Sequence, residues 1–82
     1  MNESMSKLTL YSRPECHLCE ALLAELLPLL GEDDSVETVD VDSSVGLERR
    51  YGLRIPVLVA GELELSGYPL DQERVRRYLE SE

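Results

Sequence analysis

Leu8-Thr9-Leu10-Tyr11-Ser12-Arg13-Pro14-Glu15-Cys16-His17-Leu18-Cys19 is the stretch that orders the rest of this chain. Lys7 to Tyr11 reads as a first strand. Ser12 to Glu15 reads as a loop, because Pro14 biases Arg13 away from helix. Cys16 and Cys19 then stand at the mouth of a very apolar helix. Thiols spaced C-x-x-C lie one helical turn apart and can close a disulfide with each other. At a helix start, unsatisfied N–H groups and the helix dipole favour the first thiol as its thiolate. That combination is the chemistry of thiol–disulfide exchange.

Working outward, the helix is predicted from about Cys16 or His17 to Leu30. Leu18, Leu22, Leu26 and Leu29 keep helical spacing, and Leu23, Leu27 and Leu30 widen the stripe. So broad a face predicts burial against a sheet and a neighbouring helix. Pro28 kinks or ends the last turn, and Gly31 is a natural stop. Val36 to Val41, rich in β-branched residues, reads as a second strand. Strand, helix and strand at this spacing make a βαβ unit with parallel strands. Asp42 or Ser43 is predicted to cap a short helix through Tyr51, with Leu47 and Tyr51 as its buried pair and Gly52 as its end. Val57 to Ala60 and Leu63 to Leu65, joined at Gly61, read as an antiparallel hairpin. Ser66-Gly67-Tyr68-Pro69 is a turn. Asp71 caps a last helix, with Leu70 and Val75 as a hydrophobic staple.

The chain has 82 residues, two cysteines, no Trp, no Phe and four Tyr, so the core must be built from Leu and Val. A single domain over 1–82 is expected, with 1–6 as a flexible N-terminus. Two cysteines do not make a disulfide-rich secreted scaffold. Met1 to Lys7 carries no apolar run of the signal-peptide kind. The longest apolar stretch, Ala21 to Leu30, is broken by Glu25 and Pro28 and is too short to cross a bilayer. The expectation is a soluble cytoplasmic protein, where a C-x-x-C is catalytic or metal-binding sooner than structural. A formal net charge of −9 repels nucleic acid and anionic membranes, and a monomer is the expected form.

The order β-α-β-α-β-β-α, with C-x-x-C after the first strand, resembles the thioredoxin superfamily. Within it the chain is most similar to a small glutaredoxin, from Lys7 to Leu79. Three segments carry the resemblance. Tyr11 to Cys19 is similar to the strand end in which a basic residue and Pro lead into C-x-x-C. Arg54-Ile55-Pro56 stands where the superfamily has its cis-proline. Ser66-Gly67 and Asp71 are similar to the glycine turn and acidic residue that open the last helix. The resemblance implies an α/β, thioredoxin-like fold: a four-stranded mixed sheet flanked by helices.

It also implies a thiol–disulfide oxidoreductase with Cys16 as nucleophile and Cys19 as resolving thiol. Protein or glutathione mixed disulfides would be the substrates. Glutathione would be the co-substrate, with no organic cofactor bound. Arg13 takes the position of a lysine that contacts a glutathione carboxylate; its plain alternative is a solvated loop charge. Ile55, ahead of Pro56, would clamp an extended substrate by strand addition. Gly67 would let a backbone N–H approach a ligand. Asp71 is a ligand contact or only a helix cap. His17, the only histidine, either assists the Cys16 thiolate or points to water. Glu15 and Glu20 oppose that thiolate. Glu15 also replaces an aromatic residue common in the family, and Ser66 replaces a glycine.

Two other classes stay open. C-x-x-C with a His between is half a zinc site, but zinc needs about four ligands, and no second Cys or His cluster exists. A shared iron–sulfur cluster through Cys16 is conceivable by resemblance, although Cys19 argues against it. A non-catalytic thioredoxin-like adaptor is the third reading.

Overall fold

The structure, a computed structural model, describes residues 6–81. The elements are β1 (Lys7–Ser12), α1 (His17–Leu26), β2 (Ser35–Asp40), α2 (Val45–Tyr51), β3 (Val57–Ala60), β4 (Leu63–Ser66) and α3 (Gln72–Ser81). Short 3₁₀ turns follow α1 at Leu27–Leu29 and β2 at Val41–Ser43. The sheet order is β2-β1-β3-β4. β1 pairs with β2 in parallel, and β3 runs antiparallel to both β1 and β4. The expected element order and mixed four-stranded sheet are therefore observed.

Alternation along the strands divides the interior in two. Leu8 and Leu10 of β1, Leu58 and Ala60 of β3 and Leu65 of β4 pack with Leu22 and Leu26 of α1 and Val75 of α3. On the opposite face Val57 and Val59 pack with Val41 and Tyr51, against half-buried Tyr11 and Leu47. β3 is thus covered on both faces, which explains its unbroken apolar run Val57-Leu58-Val59-Ala60.

Several boundaries differ from expectation. α1 stops at Leu26 and does not reach Leu30, because Pro28 has no N–H for the ladder and sits inside the first turn of a 3₁₀ segment. Leu18 and Leu27 of the broad apolar stripe are about half exposed. β2 ends at Asp40, and Val41 enters the core from a 3₁₀ turn. The α2 cap is Ser44, whose hydroxyl accepts from Leu47 N at 3.3 Å; Asp42 and Ser43 lie one turn earlier. Ser6, expected in a flexible N-terminus, is buried, and its N–H donates to Asp34 at 3.2 Å. The rest of that expected segment lies outside the described residues.

α3 begins as expected: Asp71 Oδ1 accepts from Arg74 N at 3.1 Å. Both staple residues, Leu70 and Val75, are buried. Among the described residues no helix is long and apolar enough to cross a membrane.

Candidate functional site

Strand register gathers the site at one end of the sheet. Ser12 pairs with Asp40 and Tyr11 with Val57, while Leu58 pairs with Ser66. The C-terminal ends of β1, β2 and β4 therefore meet the N-terminal end of β3. Cys16, Asp42, Pro56 and Gly67 follow or precede those strand ends within a few residues.

Cys16 is the N-cap of α1. Its φ of −97° and ψ of 104° are extended, and its Sγ accepts from Cys19 N at 3.1 Å. Cys16 and Cys19 are disulfide-bonded, with Cα atoms 5.2 Å apart. Cys16 is half-exposed, whereas Cys19 is buried at 4% exposure beneath the first helical turn. The preceding residue, Glu15, holds a left-handed φ of 63°, unusual for a residue with a side chain. That turn swings the chain from the Pro14 loop into the cap.

A small apolar cleft runs beside the pair, lined by Ser12, Arg13, Cys16, Cys19, Leu23 and Thr38. Arg13 borders it, but the donors of its guanidinium are engaged. Nε meets both carboxylate oxygens of Asp42 at 3.1 and 3.2 Å, and Nη2 meets Asp42 at 3.1 Å. Nη1 donates to the Gly52 carbonyl at 3.4 Å, and Glu48 lies 3.8 Å away. The hydrogen bonds that the guanidinium donates to the Asp42 carboxylate hold its pKa above the ordinary value. This bridge spans 29 residues of sequence and ties the cysteine loop to the turn before α2. No local pattern announces it.

The Ile55–Pro56 peptide is cis, as the family likeness implied, and so is Tyr68–Pro69. Pro56 is buried and Ile55 half-buried. The β1–β3 register begins at Tyr11–Val57, leaving the Ile55 backbone outside the paired ladder. A Cβ on Gly67 would come within 3.6 Å of the Pro56 carbonyl, so the two loops lie against each other. Ser66 Oγ donates to Gly67 O at 2.7 Å and accepts from Asp71 N at 2.8 Å, so this serine closes the turn into α3. His17 is exposed on the first turn of α1.

Behind the cysteine loop, Tyr51 stacks on Tyr11 with ring centres 4.2 Å apart. The guanidinium groups of Arg50 and Arg54 lie 5.3 and 5.4 Å from the Tyr51 ring. Arg54 is in turn paired through two hydrogen bonds with Glu64, at 3.0 and 3.1 Å. Neither this stack nor the Asp42 bridge was read from the sequence; for the stack, Arg50 and Arg54 flanking Tyr51 were a weak signal, and for the bridge there was none. Among the described residues no three His, Cys, Asp or Glu side chains converge as a metal site needs.

A family described as Glutaredoxin-like domain (DUF836) matches residues 7–80. The chain belongs to that family. Its glutaredoxin-like domain is also similar to target protein XcR50 from X. campestris, with 35% sequence identity to that protein's X-ray and solution structures. The X-ray structure superposes with a TM-score of 0.70, covering 92% of this chain and 97% of that one. For the solution structure the values are 0.71, 95% and 96%. No curated protein matches the chain. The glutaredoxin-like domain has a thioredoxin-like fold, and its paired cysteines at the helix start support a redox role.

Proposed function

We propose that this glutaredoxin-like domain is a dithiol oxidoreductase that reduces disulfides in protein chains. The observation that carries the reading is the asymmetry of the cysteine pair: Cys16 is half-exposed at the cap, and Cys19 is buried one turn in. In the reduced chain, the Cys16 thiolate attacks one sulfur of a substrate disulfide. The substrate S–S bond breaks, and its other sulfur leaves as a thiolate and takes a proton. Cys19, having lost its proton, then attacks Cys16 Sγ and releases the second substrate thiol. The substrate gains two electrons and two protons, and the domain ends in the observed Cys16–Cys19 disulfide. Glutathione is the outside reductant: two of its thiols restore the dithiol and leave as glutathione disulfide.

The helix N-terminus favours the Cys16 thiolate, and Cys19 N–H is already directed at that sulfur at 3.1 Å. Ile55, whose backbone lies outside the β1–β3 ladder, presents it to an extended substrate as an added strand. Gly67 packs beside that backbone, and Asp71 holds the start of α3 behind it. His17 supplies a proton carrier one residue from the nucleophile. The chemistry suits a reducing compartment such as the cytoplasm, with a monomer as the acting species.

The test is turnover of a disulfide-bonded peptide with glutathione as reductant. Catalysis lost in Cys16→Ser supports the reading. A folded wild-type protein that leaves the uncatalysed rate unchanged argues for an adaptor.

A further inference from the structure

The cation at the cysteine cleft is already occupied. Arg13 lines that cleft beside Cys16 and Cys19. Asp42 grips its guanidinium through three hydrogen bonds, and Glu48 stands 3.8 Å away. Asp40 also acts on Arg13. From the helix side, Glu20 lines the same cleft, and Glu15 immediately precedes Cys16. Glu15 and Glu20 thus stand beside the cysteines, while the charge of Arg13 is met by Asp42, Glu48 and Asp40. With Arg13 neutralised by Asp42, Glu20 leaves the cleft negative; such a site concentrates ligands of the opposite sign, and the chain's net charge of −9 acts in the same direction.

We propose that Asp42 is a specificity-determining residue: by gripping Arg13 it leaves the Cys16 cleft net negative. The site thereby selects protein disulfides flanked by neutral or basic side chains and turns away anionic ones, glutathionyl disulfides among them. The apolar walls of the cleft, Leu10 and Leu23, suit an uncharged stretch of such a segment. This inference rests on the dithiol exchange proposed above. It bears on the substrate step; glutathione acts afterwards by concentration, without a carboxylate clamp at Arg13.

The experiment uses the full chain and two disulfide-closed peptides that differ only in the residues flanking their cysteines, Lys in one and Glu in the other. Each reduction rate is divided by the rate with dithiothreitol, a neutral dithiol, to remove intrinsic differences in the peptide disulfides. The basic peptide is expected to be favoured about tenfold at low salt, with the preference shrinking at high salt. Asp42→Asn releases Arg13 and lowers the preference several-fold. Glu20→Gln, which leaves the Arg13 bridge intact, lowers it to a smaller extent. A normalised ratio near one at low salt overturns the inference, and so does a preference for the acidic peptide. A ratio lowered by Glu20→Gln but not by Asp42→Asn removes the role given to Asp42. If neither peptide is reduced above the uncatalysed rate, the proposed function fails and the inference with it.

Discussion

Cys16 and Cys19 are three residues apart, yet their surroundings give them different work. Capping α1 places the Cys16 sulfur where the orphan N–H groups of the helix gather. Burial keeps Cys19 from meeting large substrates, which suits it to the intramolecular step of the proposed cycle. Glu15 works against this arrangement twice, through its left-handed backbone and through its charge. Glu15→Asn supplies a residue that tolerates that backbone and removes the charge. It should raise stability by up to about 1 kcal/mol and increase the thiolate fraction of Cys16 at neutral pH. Denaturant unfolding and the rate of alkylation against pH read the two effects separately. At the opposite face, the hydrogen bond from Arg54 lowers the Glu64 pKa below its ordinary value. A depressed carboxylate stabilises the fold above its unfolded-state pKa, and that contribution is lost as pH falls through the lowered value. The pair is exposed, so the contribution is small. An NMR titration should find Glu64 below the ordinary glutamate range, returning toward it in Arg54→Gln.

The elements were largely legible because their apolar periods are clean. Val57 to Ala60 and the Leu22–Leu26 spacing read directly as a hairpin strand and a helix face, and the structure adds that the strand is covered on both sides. What escaped the sequence lay where two local preferences compete or where partners are distant. Pro28 allowed either a kink or an end, and 3₁₀ geometry at Leu27–Leu29 settled it as an end. Asp42, Ser43 and Ser44 are all good caps, and only the 3₁₀ turn packing Val41 into the core selects Ser44. Gly52 is needed at the end of α2 for a reason its residue type conceals. Its backbone stays right-handed, but a Cβ there would collide with the Glu48 carbonyl. In the site, the C-x-x-C was plain, while the Asp42 partner of Arg13 was hidden by distance along the chain. Leu22 tests the packing of α1 on the sheet, being fully buried in the larger core. Leu22→Ala should cost about 2–5 kcal/mol. Each kcal/mol lowers Tm by about 4–8 °C in a domain of this size, so a calorimetric Tm unchanged from wild type would contradict this packing.

At the scale of the molecule, a small Leu- and Val-based core supports a sheet whose one end gathers the cysteine cap, the cis-Pro56 loop and the Gly67 turn. The helices cover the two faces and leave that end as the working surface. The acidic charge of the whole chain acts in the same direction as the negative cleft proposed around Cys16. Mass spectrometry across glutathione redox buffers reads the proposed dithiol cycle itself. Wild-type protein and Cys19→Ser are equilibrated side by side in the same buffers. Wild type is expected to become two hydrogens lighter as the buffer turns oxidising, with no lasting adduct. Cys19→Ser, where the resolving thiol is missing, is expected to carry one glutathione on Cys16. A folded protein that forms neither species at any buffer ratio would rule out the dithiol cycle.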